Sequence, residues 1–292
     1  MDMSRRHFLS CLPAGAMLSA LPLSAAPAAP LVGCQTNAWP VKPGDFPAFL
    51  GVLREIKSLG FEGFETSFRN VQGQYADAAP ARASLAKTGL AFFGVHIFLN
   101  EYDPRTRVAP MELVKATADG GAALGAQRLI LSGGGLEKDG KVAEADLAAK
   151  VAGLHEAARY SRSRGLAFAY HNHGPEFAAG GAEITGLIRG TDPSLVGFLV
   201  DCGWAYRAGV DLAAFFTAHR ARIVGLHLRD FKGEQQVPLG QGDVNWAPLA
   251  AAIRTSGWDG WVMAEEERAD GSKPGAAAAG PARDTLRKLF GR

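Results

Sequence analysis

Six ionisable side chains in the second half of the sequence end or follow short apolar segments. They are His171, His173, Asp201, His227, Glu265 and Glu267. Carboxylates gathered beside imidazoles in one pocket would repel one another or become protonated unless a cation lay among them. A mixed set of nitrogen and oxygen ligands suits Mn²⁺, Zn²⁺, Co²⁺ or Fe²⁺ better than Ca²⁺ or Mg²⁺. If the fold brings these residues together, we expect one divalent metal, with Mn²⁺ as the first choice.

The alternation of side chains along each apolar segment indicates which of them share a face. Val224 and Leu226 are aliphatic and suit a face that packs against helices. His227 and Arg229 alternate with them and therefore point to the opposite side. The same alternation in the other segments places all six ionisable residues on one inner face.

A metal site of this kind would favour acid–base chemistry on a carbonyl compound. A divalent metal polarises a carbonyl and lowers the cost of removing the neighbouring proton. His173 and Glu267 are candidates for the acid and the base. Arg229 and Asp230 could bind hydroxyl groups or pair with each other. The residues predicted to bind the substrate are Glu65, His96, Trp204, Arg229 and Asp230.

Eight apolar segments predict the strands that carry these side chains. They cover residues 32–36, 60–66, 90–97, 128–132, 166–171, 196–201, 223–227 and 260–265. Amphipathic segments separate them, for example at 46–58 and 142–163. This alternation predicts an α/β fold, a (β/α)₈ TIM barrel, whose chemistry lies at the carboxyl ends of the strands. An open doubly wound sheet is disfavoured, because Cys34-Gln35-Thr36-Asn37 is not a glycine-rich phosphate turn.

Length and charge limit the class of protein further. The chain has 292 residues and is 47% hydrophobic, so residues 30–292 suffice for one barrel domain with a large core. Within this domain, the Gly- and Ala-rich stretch 269–279 predicts a loop before a last helix at 283–290. The formal net charge is only +2, which offers no basic surface for a phosphate backbone. A nucleic-acid partner is therefore not expected.

Residues 1–29 are predicted to be a twin-arginine signal peptide that precedes the fold. Ser4-Arg5-Arg6-His7-Phe8-Leu9 contains the paired arginines, and an apolar stretch with small residues leads to Ala29. This stretch is short and interrupted by Pro and Gly, so no stable membrane span is expected. We expect the twin-arginine export machinery as a partner and a periplasmic or exported protein. Leu31-Val32-Gly33-Cys34 also matches a lipoprotein cleavage box, but lipidation at Cys34 would consume residues of the first strand.

Four sequence features follow one another in a recognisable order. They are Asp201-Cys202-Gly203-Trp204, His227-Leu228-Arg229-Asp230, the loop at 238–246 and Glu265. Together they resemble the sugar phosphate isomerase/epimerase superfamily of xylose isomerase-like barrels. In its epimerases, Glu, Asp, His and Glu from strands 5 to 8 hold one metal, and the two glutamates move protons on opposite faces of the substrate. The resemblance implies Asp201, His227 and Glu265 as metal ligands, with Glu265 also in catalysis.

One position departs from that pattern. The segment Tyr170-His171-Asn172-His173 places His171 where those epimerases have their first glutamate. Imidazole is a good ligand for these metals, so we expect His171 to complete the set. The symmetric mechanism, which needs two glutamates, is not expected with histidine at this position. An acid and a base of different types, such as His173 and Glu267, remain.

The expected function is that of a metal-dependent, sugar isomerase/epimerase-like enzyme that abstracts a proton next to a metal-polarised carbonyl. Phosphorylated sugars are mainly cytoplasmic, so an exported enzyme is expected to act on a non-phosphorylated sugar or keto-sugar. A lyase or hydratase acting on 3-keto-glycosides is one alternative. A non-catalytic sugar-binding module, with Trp39, Trp204 and Trp246 as aromatic walls, is another. A DNA-repair endonuclease would share the barrel but needs a basic face. The sequence leaves the oligomeric state open.

Overall fold

The computed structural model describes residues 29–268 and 271–292, and the predicted export motif at residues 4–9 lies outside them. Ten strands occur in the described residues: β1 (Leu31–Gln35), β2 (Gly63–Ser67), β3 (Ala91–Ile97), β4 (Arg128–Ser132), β5 (Ala167–His171), β6 (Gly197–Asp201), β7 (Ile223–Leu228), β8 (Asp230–Lys232), β9 (Gln235–Val237) and β10 (Trp261–Ala264). Parallel strands close into a barrel in the order β1-β10-β7-β6-β5-β4-β3-β2, and β8 and β9 form a separate antiparallel pair. The predicted (β/α)₈ barrel is therefore confirmed.

The helices surround the barrel and connect its strands. Those of the described residues are α1 (Phe46–Ser58), α2 (Ala78–Ala86), α3 (Met111–Leu124), α4 (Glu144–Ser163), α5 (Ala178–Gly190), α6 (Cys202–Arg207), α7 (Leu212–His219), α8 (Ala247–Ser256) and α9 (Ala276–Phe290). The side chain of Asp45 caps α1 by accepting a hydrogen bond from the backbone N–H of Ala48 at 3.0 Å, which satisfies a free donor of the first turn. Among the described residues, no helix is long and apolar enough to span a membrane.

The last helix differs from the sequence-based expectation. The Gly- and Ala-rich stretch 269–279 was expected to be a loop, with a helix only at 283–290. In the structure α9 begins at Ala276, and the loop prediction is wrong for the end of that stretch. Alanine has the highest intrinsic helix propensity, so a run of alanines just before a helix extends it. A composition typical of linkers concealed this propensity.

An apolar layer fills the barrel interior directly below the ionisable residues. It consists of Phe93, Ile130, Ala169, Leu199, Trp261 and Met263. His171, Asp201 and Glu265 each lie two residues beyond a member of this layer, and therefore point to the same inner side. Gly225 takes the corresponding place in β7, where a Cβ atom would lie 2.7 Å from Leu199 and 3.0 Å from Phe93. The close packing of this layer gives the ionisable residues a rigid floor.

A β-bulge in β3 determines which of its side chains reach the carboxyl end of the barrel. Phe64 pairs with Phe92, but the next residue of β2, Glu65, pairs with Gly94. The extra residue, Phe93, points into the barrel interior. Because a bulge shifts the alternation by one position, His96 also points inward beyond it.

Candidate active site

Four potential metal ligands converge at the carboxyl ends of neighbouring strands. His171 ends β5, Asp201 ends β6, His227 lies in β7 and Glu265 follows β10 directly, and these strands are adjacent in the barrel. One ligand atom from each residue lies within 4.8 Å of the others, and all four residues are buried. The cluster offers two imidazole nitrogens and two carboxylate oxygens, a set suited to a first-row divalent metal.

The polar atoms of this cluster crowd together at the carboxyl end of the barrel. Nδ1 of His227 lies 2.6 Å from Oε2 of Glu265, in a contact without good hydrogen-bond geometry. Nδ1 of His171 is buried without a hydrogen-bond partner among the described residues. Oδ2 of Asp201 and Oε2 of Glu265 each form an ion pair with the guanidinium of Arg229, at 2.8 Å and 2.7 Å. Buried polar atoms normally have partners. Two imidazole nitrogens without good hydrogen bonds, directed at two crowded carboxylates, therefore fit a bound cation.

Glu65 determines which ring nitrogen of His227 faces the cluster. Its Oε2 lies 2.7 Å from Nε2 of His227, and its Oε1 lies 2.8 Å from Nδ1 of His96. Nε2 of His96 lies 2.8 Å from the hydroxyl of Ser132. Burial opposes ionisation of Glu65, but the two imidazoles lower its pKa. The ionised carboxylate accepts the Nε2–H of His227 and leaves the Nδ1 lone pair for a metal. Glu65 was predicted to bind substrate, but in the structure its two carboxylate oxygens contact imidazoles.

Arg229 contacts the carboxylates around the cluster. Its Nε lies 2.8 Å from Oδ2 of Asp201, its Nη2 lies 2.7 Å from Oε2 of Glu265, and its Nη1 lies 3.4 Å from Oε2 of Glu267. Burial would lower the pKa of Arg229, but these carboxylates raise it. The guanidinium compensates part of the negative charge that the cluster concentrates. It thereby orients Glu267, whose side chain is 43% exposed.

Asp230 organises the loop at 238–246. Its buried carboxylate accepts hydrogen bonds from the backbone N–H groups of Phe231, Gly240, Gly242 and Val244 and from the indole N–H of Trp246. A Cβ atom on Gly242 would lie 2.2 Å from Oδ1 of Asp230, so this close approach requires glycine. The contacts of Asp230, also predicted to bind substrate, are thus with its own loop.

A cavity of about 280 Å³ opens above the cluster. Its walls are Gln35, Asn37, Ser67, Arg69, His96, Phe98, His171, His173, Trp204, Glu265 and Glu267. Gln35, Asn37, Ser67, Arg69 and Phe98 were missed from the sequence, although each lies at or just after the end of a barrel strand. A larger cavity of about 420 Å³ lies at the opposite end of the barrel beside Arg222. The ligand cluster lies at the smaller cavity, which is therefore the candidate active site.

Only one of the three tryptophans considered as aromatic walls lines this cavity. Trp204 does so. Trp39 is buried and donates its indole N–H to Glu55 at 2.8 Å, and Trp246 donates to Asp230 at 3.1 Å. The latter two therefore support the fold around the site.

In the segment 170–173, some side chains line the cavity and others hold the neighbouring strands and loop in place. The hydroxyl of Tyr170 donates a hydrogen bond to Glu176. Oδ1 of Asn172 accepts a hydrogen bond from the backbone N–H of Asp201 at 3.0 Å and so joins the ends of β5 and β6. His173 lies at the cavity wall. Burial and the positive Arg229 lower its pKa to about 3. The imidazole of His173 is therefore neutral near pH 7, and the same two causes reduce its basicity.

A buried ionic cluster, not predicted from the sequence, supports His173 from behind β5. Nζ of Lys150 lies 2.5 Å from Oε1 of Glu183 and 3.8 Å from Oε1 of Glu176. Lys150 also donates a hydrogen bond to the carbonyl of Gly134 at 2.9 Å. Oε2 of Glu176 accepts a hydrogen bond from the backbone N–H of His173 at 3.0 Å. The cluster therefore holds the loop that carries His173.

The comparisons agree with the barrel. The model of the xylose isomerase-like TIM barrel family matches residues 53–289 of this chain. The chain belongs to this family.

Individual relatives are more distant. An inosose dehydratase from Lacticaseibacillus casei is 29% identical over 136 residues, which are 40% of this chain and 45% of that protein. The match thus spans less than half of the relative. A sugar phosphate isomerase/epimerase from Parabacteroides distasonis superposes with a TM-score of 0.68 at 18% identity, covering 92% of this chain and all of that chain. The IOLI protein with a bound zinc atom superposes with a TM-score of 0.72 at 15% identity, covering 89% and 97%. These two structural likenesses show the common fold.

Proposed function

We propose that this protein is a divalent-metal-dependent lyase that eliminates a leaving group from a keto-sugar or a related cyclic ketone. The proposal depends above all on His171, a neutral imidazole in the metal cluster where the epimerases that the sequence resembles have a carboxylate. Two opposed carboxylate bases suit epimerisation, whereas a single imidazole base with a different acid suits an asymmetric proton transfer. The partial similarity to inosose dehydratases, named for a dehydration, supports elimination over the isomerisation first expected.

The residues present could hold the metal and move the proton. His171, Asp201, His227 and Glu265 would be the ligands of a metal that polarises the substrate carbonyl and acidifies the neighbouring C–H. A ring nitrogen of the neutral His173 accepts the proton from that carbon. Oε1 of Glu267, the oxygen that faces away from Arg229, is a candidate to protonate the leaving group.

The atoms of the elimination balance without a further reactant. The C–H bond next to the carbonyl breaks, and its proton goes to His173. The bond between the adjacent carbon and its oxygen substituent also breaks, and a carbon–carbon double bond forms between the two carbons. The departing oxygen takes a proton and leaves as water or an alcohol. In a 3-keto-glycoside, this substituent is the aglycone at C1.

The cavity volume is consistent with a substrate of this size. About 280 Å³ is near the lower end of the range for small-molecule pockets, roughly 300–1,000 Å³. A single sugar-sized ring is a suitable occupant. Its hydroxyl groups find polar partners in Gln35, Asn37 and Ser67 at the wall. We therefore propose a non-phosphorylated keto-sugar or keto-cyclitol as the substrate.

Solvent-isotope labelling tests this function directly. Protein loaded with Mn²⁺ or Zn²⁺ is incubated in D₂O with methyl 3-keto-glucoside and with inosose, and the products are followed by NMR and mass spectrometry. We expect an unsaturated ketone with release of methanol or water, and His173→Gln should slow this release by about a hundredfold, the typical contribution of a general base. His219→Ala, which alters an imidazole remote from the cavity, is the matched control. Inversion of a carbon without loss of a substituent would refute elimination.

We also propose that the protein is exported in folded form by the twin-arginine route. The support is the sequence Ser4-Arg5-Arg6-His7-Phe8-Leu9. Fusion of residues 1–35 to a reporter that is active only after export in folded form tests this, with Arg5 and Arg6 both replaced by lysine as the control. The parent fusion should be exported and the double variant retained. Equal export of both would contradict the proposal.

A further inference from the structure

We propose that Phe98 and Trp204 form an aromatic rim that binds the leaving group of the substrate, a ring-bearing and preferably aromatic aglycone. This inference rests on the proposed elimination and specifies its substrate class. The sugar ring occupies the cavity over the ligand cluster, and the aglycone projects past His173 onto the rim.

Phe98 is unusual among the apolar side chains of this chain. It is 45% exposed, and the other large hydrophobic side chains of the described residues are buried or half-buried. It follows the last residue of β3 and lines the cavity beside His173, with their ring centroids 5.2 Å apart. Nη1 of Arg69 donates a hydrogen bond to its carbonyl oxygen at 2.9 Å, which holds the backbone at this point. The position of this exposed ring, at the mouth of the candidate active site, suits contact with a bound ligand.

Trp204 belongs to two cavities at once. Its indole lines the cavity over the ligand cluster, and it also lines an open groove of about 500 Å³ on its other side. Guanidinium carbons of Arg229 and Arg207 lie 5.6 Å and 5.3 Å from the indole ring, distances at which cations are attracted to an aromatic ring. Phe231 adds a ring contact at 5.4 Å. These contacts restrict the orientation of the indole, so the substrate meets a preorganised wall.

The groove beyond Trp204 provides room for a second ring. Its wall includes Gly174 and the small residues Ala178, Ala179 and Gly180. Residues 179–181 adopt positive φ angles of 51°, 67° and 75°, a conformation costly for an alanine. Small residues in this turn keep one wall of the groove low, while Phe177 and Arg207 contribute larger side chains elsewhere in its lining. A cavity of about 280 Å³ beside a groove of about 500 Å³ matches a substrate of two linked rings.

An aromatic aglycone fits the rim better than a small alkyl group. Flat rings gain from stacked or edge-on contact with aromatic side chains, about 0.5–1.5 kcal/mol beyond the burial of their surface. A methyl group presents no such face. A phenolate is also a better leaving group than an alkoxide. An aromatic aglycone at C1 therefore suits an elimination in which C2 loses its proton.

Paired substrates and variants of Phe98 test the rim. Binding of phenyl and methyl β-D-glucosides to the metal-loaded protein is measured by calorimetry, and kcat/KM is measured for the corresponding 3-keto-glucosides. We expect the parent to prefer the phenyl compounds by about tenfold or more, and Phe98→Ala to reduce this preference by about tenfold. Phe98→Tyr retains a ring and should retain the preference. Phe46→Ala, which alters a half-buried ring of α1, should leave the preference unchanged.

Each contrary outcome has a defined meaning. If the 3-keto-glucosides turn over without a phenyl preference, the aromatic rim is refuted and the elimination stands. The same holds if Phe98→Ala reduces binding and turnover of the phenyl and methyl compounds equally. A phenyl preference that depends on Phe98, without turnover of either 3-keto-glucoside, supports the rim and contradicts the proposed elimination. If Phe98→Ala changes the sedimentation coefficient but not the preference, Phe98 lies at an interface between copies of the chain, and the inference is wrong.

Discussion

The hydrogen bond that Glu65 accepts from His227 predicts that a residue outside the ligand set controls metal affinity. Glu65→Gln keeps the size of the side chain but replaces one carboxylate oxygen by an amide nitrogen. The parent carboxylate can accept N–H groups from both imidazoles, at 2.7 Å from His227 and 2.8 Å from His96. A glutamine can accept only one of them through its oxygen and must offer N–H to the other.

Both orientations of the glutamine carry a cost. If its oxygen faces His227, the bond remains but loses the charge that strengthens it. If its amide nitrogen faces His227, Nε2 must become the acceptor, the proton moves to Nδ1, and the nitrogen directed at the ligand cluster is blocked. Loss of such an outer partner typically lowers metal affinity 10- to 100-fold, which corresponds to about 1.4–2.7 kcal/mol.

Chelator competition provides the measurement. The dissociation constants for Mn²⁺ and Zn²⁺ are determined for the parent, Glu65→Gln and Glu112→Gln, the last being an exposed glutamate of α3 that serves as the control. We expect weaker binding in Glu65→Gln alone, with far-ultraviolet circular dichroism unchanged. Equal dissociation constants for the parent and Glu65→Gln would show that the carboxylate does not orient His227 for metal binding.

Three further changes test the supports of the site. Lys150→Met leaves buried carboxylates without their cation and should reduce the free energy of unfolding by about 3–5 kcal/mol, measured with urea; Lys87→Met on the surface should change it by less than about 0.5 kcal/mol. Gly242→Ala forces a contact with Asp230 and should cost about 1–3 kcal/mol, with faster proteolysis of the loop at 238–246. Burial raises the pKa of the Cys34 and Cys202 thiols, so thiolate formation disfavours the folded state. Stability should fall as the pH rises past the usual thiol pKa, and iodoacetamide at pH 8, followed by peptide mapping, should label Cys34 and Cys202 only in unfolded protein; rapid labelling of these two residues in folded protein would contradict this.

The inner face of the barrel was predictable because it depends on alternation within single strands. Asp201 lies two residues after Leu199, and both point inward whatever the rest of the chain does. The bulge at Phe93 was not predictable in this way, since it depends on how two strands pair across the sheet. Only that pairing explains how Phe93 and His96, which are three residues apart, both point inward.

The partners of charged residues were harder to foresee than their positions. Asp230 was a reasonable candidate for substrate binding, because it follows a barrel strand. Its hydrogen-bond donors come mostly from the loop at 238–246, whose path no local pattern reveals. Lys150 lies on a helix, where a lysine is almost always solvated. Its burial follows from Glu183 and Glu176, which only the packing of α4 against α5 brings together.

The identity of the ligand from β5 separates elimination from epimerisation, and His171→Glu tests this distinction. A neutral imidazole leaves the cluster one charge more positive than a glutamate would. More positive charge beside the carbonyl favours loss of the neighbouring proton, and an imidazole held by a metal leaves no carboxylate base on that side of the substrate. We expect His171→Glu to retain the metal, because a carboxylate is also a ligand for Mn²⁺. Elimination should slow by about tenfold or more, equivalent to at least about 1.4 kcal/mol in the barrier, while deuterium exchange into unreacted keto-sugar increases. His171→Ala is the comparison that removes the ligand altogether. If His171→Glu retains its metal and eliminates as fast as the parent, the neutral ligand does not direct the reaction, and the choice between lyase and epimerase must depend on His173 and Glu267 alone.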